Sequence, residues 1–133
     1  MRVLLLEDDP NLLMAYADAL TDDGHIVEAC RTEDEAMRQL MLQGSAIDVI
    51  VLDLCIGSGT SLSVADYAGY ASPDAEVIVV TGSDLYPNGE LQSLSGSIKW
   101  ALRKPVRMLD LLAMVEFVDH RRQNHLPAVR STD

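Results

Sequence analysis

The sequence predicts an α/β domain built as a doubly wound five-stranded parallel sheet, (βα)5, with strand order 2-1-3-4-5. Three observations carry that prediction. Three short runs are wholly apolar, Val3-Leu4-Leu5-Leu6, Val49-Ile50-Val51-Leu52 and Val77-Ile78-Val79-Val80, the pattern of strands covered on both faces. Segments with helical spacing and recognisable caps alternate with them, which implies parallel strands joined by right-handed crossovers. Two weaker runs, His25-Ile26-Val27-Glu28-Ala29 and Ile98-Lys99-Trp100-Ala101-Leu102, carry polar or charged residues and suit the sheet edges. Three central and two edge strands select the stated order.

Along the chain, the first strand runs into Asp9-Pro10, a cap followed by a first-turn proline. Leu12, Leu13, Tyr16, Ala17 and Leu20 then mark one helical face, and Gly24 supplies the stop. After the second strand, Thr32-Glu33-Asp34-Glu35 is a capping box, with Ala36 and Leu40 on the inner face and a stop at Gly44. The third strand is followed by a helix over Leu62 to Tyr70. The fourth is followed by Ser83 to Ser97, rich in serine, glycine and proline, where any helix is short and falls within Glu90 to Leu94. The last helix spans Met108 to His120 with Leu109, Leu112, Ala113 and Phe117 on one side. Met14, Met37, Met41 and Met114 fall in helical patterns as core filler. The domain is expected over 1–122, with 123–133 a fraying tail and no effector domain after it.

At 133 residues the chain is one domain's worth, and 48% apolar with 23% charged residues is an ordinary globular mixture. Ten basic against twenty-one acidic residues give a formal charge of -11, which disfavours nucleic acid and anionic membrane as partners. Seven of the basic residues lie from Lys99 onward, so the C-terminal quarter is mildly positive. Lys99, Arg103, Arg107, Arg121 and Arg122 are there either a solvated face or a docking patch for an acidic partner or a second copy. Cys30 and Cys55 have no CxxC spacing and read as free thiols of a reducing compartment. The opening apolar run meets Glu7 too soon for a leader or a span, so a cytoplasmic protein is expected. Gly57-Ser58-Gly59-Thr60-Ser61 lacks the Lys-Ser/Thr ending of a phosphate loop, and His25, His120 and His125 show no ligand spacing.

In a parallel sheet the residues just after each strand converge on one edge. Here these are Glu7, Asp8 and Asp9, then Asp53, then Thr81 and Gly82, then Lys104 and Pro105. Glu7, Asp8 and Asp53 would crowd one end of the sheet, and like charges so placed call for a compensating cation. Oxygen-only donors favour Mg2+ over zinc. Carboxylates around Mg2+, a hydroxyl at Thr81 and an ammonium at Lys104 are the parts of a phosphoryl-transfer site with a carboxylate nucleophile. Asp9, by contrast, is read as a helix cap.

The pieces Val3 to Pro10, Asp48 to Leu54, Val77 to Gly82 and Lys104-Pro105, in that order and spacing, resemble the receiver domain of two-component response regulators, from Met1 to about Arg122. The resemblance implies the flavodoxin-like fold, with Asp53 as phosphate acceptor. Asp8 becomes a direct Mg2+ ligand, Glu7 a ligand through water, and Cys55 a ligand through its carbonyl. The donor would be a phosphohistidine on a histidine kinase or phosphotransfer protein, with Lys104 and Thr81 binding phosphoryl oxygens and a cis bond at Lys104-Pro105. It further implies a stand-alone signalling module that catalyses only its own phosphorylation and dephosphorylation and acts by contact with a downstream protein, with a homodimer through the basic C-terminal face as one possibility.

This chain departs from the family pattern at three places. Ala101 stands where an aromatic switch is usual, and Trp100 beside it faces the other way; Tyr86 is a candidate substitute. Gly57 and Ser61 stand where proline and glycine are usual, which implies a looser loop after the acceptor. A degenerate receiver that binds proteins without phosphorylation is the first alternative function. A Mg2+-dependent phosphatase of the haloacid-dehalogenase type is a second, against which Cys55 occupies the place of its second acid. A flavin binder is a third, disfavoured because its phosphate would sit beside acids.

Overall fold

The computed structural model describes residues 1–56, 59–82 and 95–124. The three apolar runs form β1 (Arg2–Leu6), β3 (Val49–Asp53) and β4 (Glu76–Thr81), the weaker ones β2 (Ile26–Cys30) and β5 (Ile98–Arg103). All five pair in parallel in the order β2-β1-β3-β4-β5, the 2-1-3-4-5 order expected, with the weak strands at the edges. Helices α1 (Pro10–Asp22), α2 (Glu33–Gln43), α3 (Leu62–Ala71) and α4 (Met108–Asn124) flank the sheet. A short antiparallel ribbon, Cys55–Ile56 against Gly59–Thr60, follows β3. Residues 57–58, 83–94 and 125–133, and with them the expectations for Gly57, Ser58, Tyr86, a helix at Glu90 to Leu94 and most of the tail, lie outside the described residues.

Side chains alternate across each central strand, so the sheet builds two cores. Leu4, Leu6, Ile50, Leu52, Val77 and Val79 pack under α2 and α3, against Ala36, Leu40, Val64, Ala65 and Ala68. Val3, Leu5, Val49, Val51, Ile78 and Val80 pack under α1 and α4, against Leu13, Tyr16, Leu20, Leu111, Val115 and Val118. Each fully buried Val, Leu or Ile among them contributes about 1.5–3 kcal/mol.

Local signals set the helix ends. Asp9 Oδ1 accepts from the amides of Asn11 and Leu12, and Gly24 takes φ 94°, which its lack of a Cβ permits. Thr32 Oγ1 accepts from Glu35 N, but Glu35 reaches back to the amide of Arg31 rather than to that of Thr32. Gly44 is needed for a reason other than a left-handed stop. Its φ is -53°, and a Cβ there would meet the carbonyl oxygen of Ala71 at 2.5 Å, because the ends of α2 and α3 touch.

Three expectations are corrected. The core face of α4 is Leu111, Val115 and Val118, whereas Leu109, Ala113 and Phe117 are exposed and Leu112 is half-buried. Helix α4 has apolar residues nearly all round, so spacing alone does not choose a face. Met14 and Met41 are also exposed rather than core filler, while Met37 and Met114 are partly buried against the two cores. The last helix also continues to Asn124, four residues past its expected end at His120.

Candidate functional site

The three acids arrive at one sheet edge because β1 and β3 are neighbours in register, Leu6 opposite Leu52. Glu7 follows β1, its amide donating to the carbonyl of Cys30 at 3.0 Å, and Asp53 ends β3 beside Val80 of β4. Oxygens from Glu7, Asp8 and Asp53 all lie within 4.8 Å of one another. Glu7 and Asp53 are buried, Asp8 half-buried.

Lys104 completes the group from the end of β5. Its amide donates to the carbonyl of Thr81 at 2.8 Å, and its Nζ lies 3.0 Å from Asp53 Oδ2 and 3.8 Å from Glu7 Oε1. The Lys104-Pro105 peptide is cis. The lysine stem runs past Gly82, where an added Cβ would stand 3.5 Å from Lys104 Cβ. Thr81 is buried at the end of β4, in register with Arg103. Cys55 sits two residues beyond Asp53, opposite Thr60 in the ribbon. Asp9 stays out of the group as the α1 cap, its amide donating to Glu7 Oε2 at 3.3 Å.

The electrostatics follow from this crowding. Burial, then a shared hydrogen bond and the charge of Asp53, push the Glu7 carboxyl up to about 7, against smaller opposing effects of the Asp9 amide and Lys104. Burial alone would lower the Lys104 ammonium, yet its hydrogen bond with Asp53 and the charges of Asp53 and Glu7 raise it on balance. Among the described residues three carboxylates meet one ammonium here, and the donors are all oxygen. A hard divalent cation such as Mg2+ fits that donor set, and neither imidazole nor thiolate belongs to it.

Two neighbours were not singled out from sequence as parts of this site. Tyr16 of α1 was read only as a core residue. It shares a cavity of about 420 Å3 with Leu12, Gly82, Lys104, Pro105 and Val106, and burial with the Glu7 charge raises its phenol. Ser61 was read as a loosening substitution, but its buried hydroxyl donates to the main-chain carbonyl of Asp53 at 2.8 Å and its amide to that of Leu54 at 2.8 Å. Nothing in the local sequence points a loop serine in that direction.

Residues 3–116 match the response regulator receiver domain. The chain belongs to that family. Transcriptional regulatory protein CitT of Halalkalibacterium halodurans is 28% identical over 108 residues, which are 80% of this chain and 46% of that protein. Transcriptional regulatory protein GlrR of Escherichia coli K12 is 25% identical over 126 residues, 95% of this chain and 27% of that protein. The chain therefore spans less than half the length of these relatives. Among solved structures, a receiver domain protein from Methanospirillum hungatei JF-1 superposes with TM-score 0.79 at 23% identity, covering 92% of this chain and 97% of that one. One from Clostridium thermocellum gives 0.80 at 21%, covering 94% and 98%. At those identities the likeness bears on the fold, which this receiver shares.

Several charges of the basic C-terminal face are paired within the chain. Arg121 pairs with Glu76, Arg122 with Asp48 at 3.3 Å and Arg107 with Asp110 at 3.4 Å. Trp100 donates its indole N–H to Glu76 at 3.2 Å and stands edge-on to Phe117 at 5.6 Å. Between β5 and α4 this leaves a groove of about 600 Å3, lined mainly by Trp100, Leu102, Ala113, Met114 and Phe117. Ala101 is exposed on the edge strand, so no ring stands at that position. Among the described residues no helix is long and apolar enough to cross a membrane.

Proposed function

We propose that this receiver accepts a phosphoryl group on Asp53 from a phosphohistidine of a histidine kinase or phosphotransfer protein and passes the signal on by protein contact. The observation that carries this reading is the setting of Asp53. It is a buried carboxylate with an ammonium 3.0 Å away and two further carboxylates gathered beside it. A structural ion pair would need only the lysine.

Glu7, Asp8 and Asp53 would hold Mg2+, with the Cys55 carbonyl as a fourth protein donor. Bound there, the ion supplies charge neutralisation for phosphoryl oxygens. A carboxylate oxygen of Asp53 attacks phosphorus, the phosphorus–nitrogen bond of the donor breaks, and the imidazole leaves with the electron pair and takes up a proton. The product is a mixed anhydride on Asp53. Lys104 then faces the transferred group, and Thr81 at the end of β4 bonds one of its oxygens. No separate substrate is turned over, which sets this reading apart from a phosphatase.

The output contact is proposed on the groove between β5 and α4. Self-association there would rest on the apolar stripe Leu109, Ala113 and Phe117 rather than on charge, since Arg107, Arg121 and Arg122 are held in ion pairs within the chain. The test of the acceptor role is incubation with acetyl phosphate, with and without Mg2+, followed by intact mass. One phosphoryl increment that requires Mg2+ and disappears in Asp53→Asn is expected. No increment under any condition would favour the phosphorylation-independent binding module, and continuous turnover of phosphoesters would favour the phosphatase.

A further inference from the structure

Ser61 joins the acceptor to the helix that follows it. Its hydroxyl donates to the main-chain carbonyl of Asp53 at 2.8 Å in a fully buried setting. Its own carbonyl accepts from the amides of Val64 and Ala65, at 3.1 and 3.2 Å, in the first turn of α3. The carbonyl of Ala65 in turn accepts the hydroxyl of Ser97, which pairs with Ser95 at 2.9 Å just before β5 begins. One serine thus ties the peptide of Asp53 to α3, and a second ties α3 to the edge strand.

Buried carbonyls hold their partners firmly, because an unmade bond there costs the desolvation of the group. A peptide fixed in this way keeps its carboxylate where a reacting phosphorus needs it, and small misplacements at a reacting centre slow transfer strongly. A shift of Asp53 would also move α3, because the first turn hangs on the same residue. On the edge strand, position 101 is alanine and has no ring to carry such a shift by moving inward.

Resting on the reading of Asp53 as acceptor, we propose that Ser61 is a positioning residue for it, one that also transmits its displacement through α3 to the start of β5. The test compares Ser61→Ala, Ser61→Thr and Ser97→Ala with wild type, using acetyl phosphate and Mg2+ for the labelling rate and amide NMR shifts for the response. Ser61→Ala should label roughly 5-fold more slowly and lose the phosphorylation-induced shifts at Ala65 and Ser97. Ser61→Thr keeps the hydroxyl and should retain both. Ser97→Ala should label at the wild-type rate while the shift at Ile98 is lost.

Ser61→Ala behaving as wild type, or Ser61→Thr failing as alanine does, overturns the proposal. Should Ser61→Ala not fold, an unchanged Ile98 shift in Ser97→Ala overturns it instead. Wild-type protein that takes no label sinks the acceptor reading itself, an outcome distinct from all of these.

Discussion

Replacing Lys104 with methionine removes the ammonium and keeps most of the stem. At an effective dielectric of about 20, unit charges at the 3.0 Å separation of Lys104 and Asp53 attract by roughly 5 kcal/mol, with a further contribution from Glu7 at 3.8 Å. Desolvation offsets part of this, and water screens a lysine side chain that is 33% exposed. A net loss of about 2 kcal/mol without Mg2+ is expected, or a fall in Tm of roughly 8 °C for a domain of this size. Because Glu7 holds a proton up to about 7, the lysine faces one anion fewer at pH 5 than at pH 8, so the loss should be larger at pH 8. Mg2+ at ten times its Kd should restore about 1.4 kcal/mol. Urea denaturation followed by the fluorescence of Trp100, the single tryptophan, measures all three quantities. A variant as stable as wild type at pH 8 without Mg2+, or one that gains nothing from the ion, would refute the electrostatic account of the site.

Other consequences are as direct. Folded Glu7 keeps its proton to about 7 whereas the unfolded chain loses it near 4.5, so the native state holds more protons between those values and its metal-free stability should fall as pH rises through them. Urea midpoints of wild type relative to Glu7→Gln read that slope, and a flat difference contradicts it. Asp8→Asn should weaken Mg2+ binding at least about tenfold by calorimetric titration, because a charged ligand is replaced by a neutral one; unchanged affinity would remove Asp8 from the ligand set. Leu111→Ala should cost about 2–5 kcal/mol and Leu109→Ala under about 0.5 kcal/mol, since only the first is buried; equal losses would restore the other helix face. Burial, with Glu35 and Glu28 nearby, pushes the Cys30 thiol up to about 12, so iodoacetamide at pH 8 should modify it only after unfolding, as peptide mass mapping would reveal.

The framework was legible because its signals are short-range. Four apolar residues in a row at Val3, Val49 and Val77 can be covered only in a buried strand, and Glu28 or Lys99 inside a run marks an edge. Glu7, Asp8, Asp53, Thr81 and Lys104 followed from the rule that strand ends converge. What sequence could not give depends on distant partners. Leu111 rather than Leu109 faces the sheet because of how α4 lies on β1, β3 and β4, and apolar residues on the outer face too, Leu109, Ala113 and Phe117, leave the spacing without a sign of that. Arg121 and Arg122 looked like free charge until Glu76 and Asp48, 45 and 74 residues earlier, were seen to hold them. Ser61 looked like slack in a loop, although its hydroxyl fastens the main-chain carbonyl of Asp53. Gly44 was assigned to a stop when a neighbouring helix end is what excludes a side chain there.

The acceptor assignment is tested most directly by reducing the acetyl phosphate-treated protein with borohydride and mapping its peptides by mass. An aspartyl phosphate is an acyl phosphate, and reduction converts it to the alcohol. Homoserine at position 53 alone, formed only when Mg2+ was present, is the predicted result. Homoserine at another acid, or none after exhaustive treatment, would contradict the account.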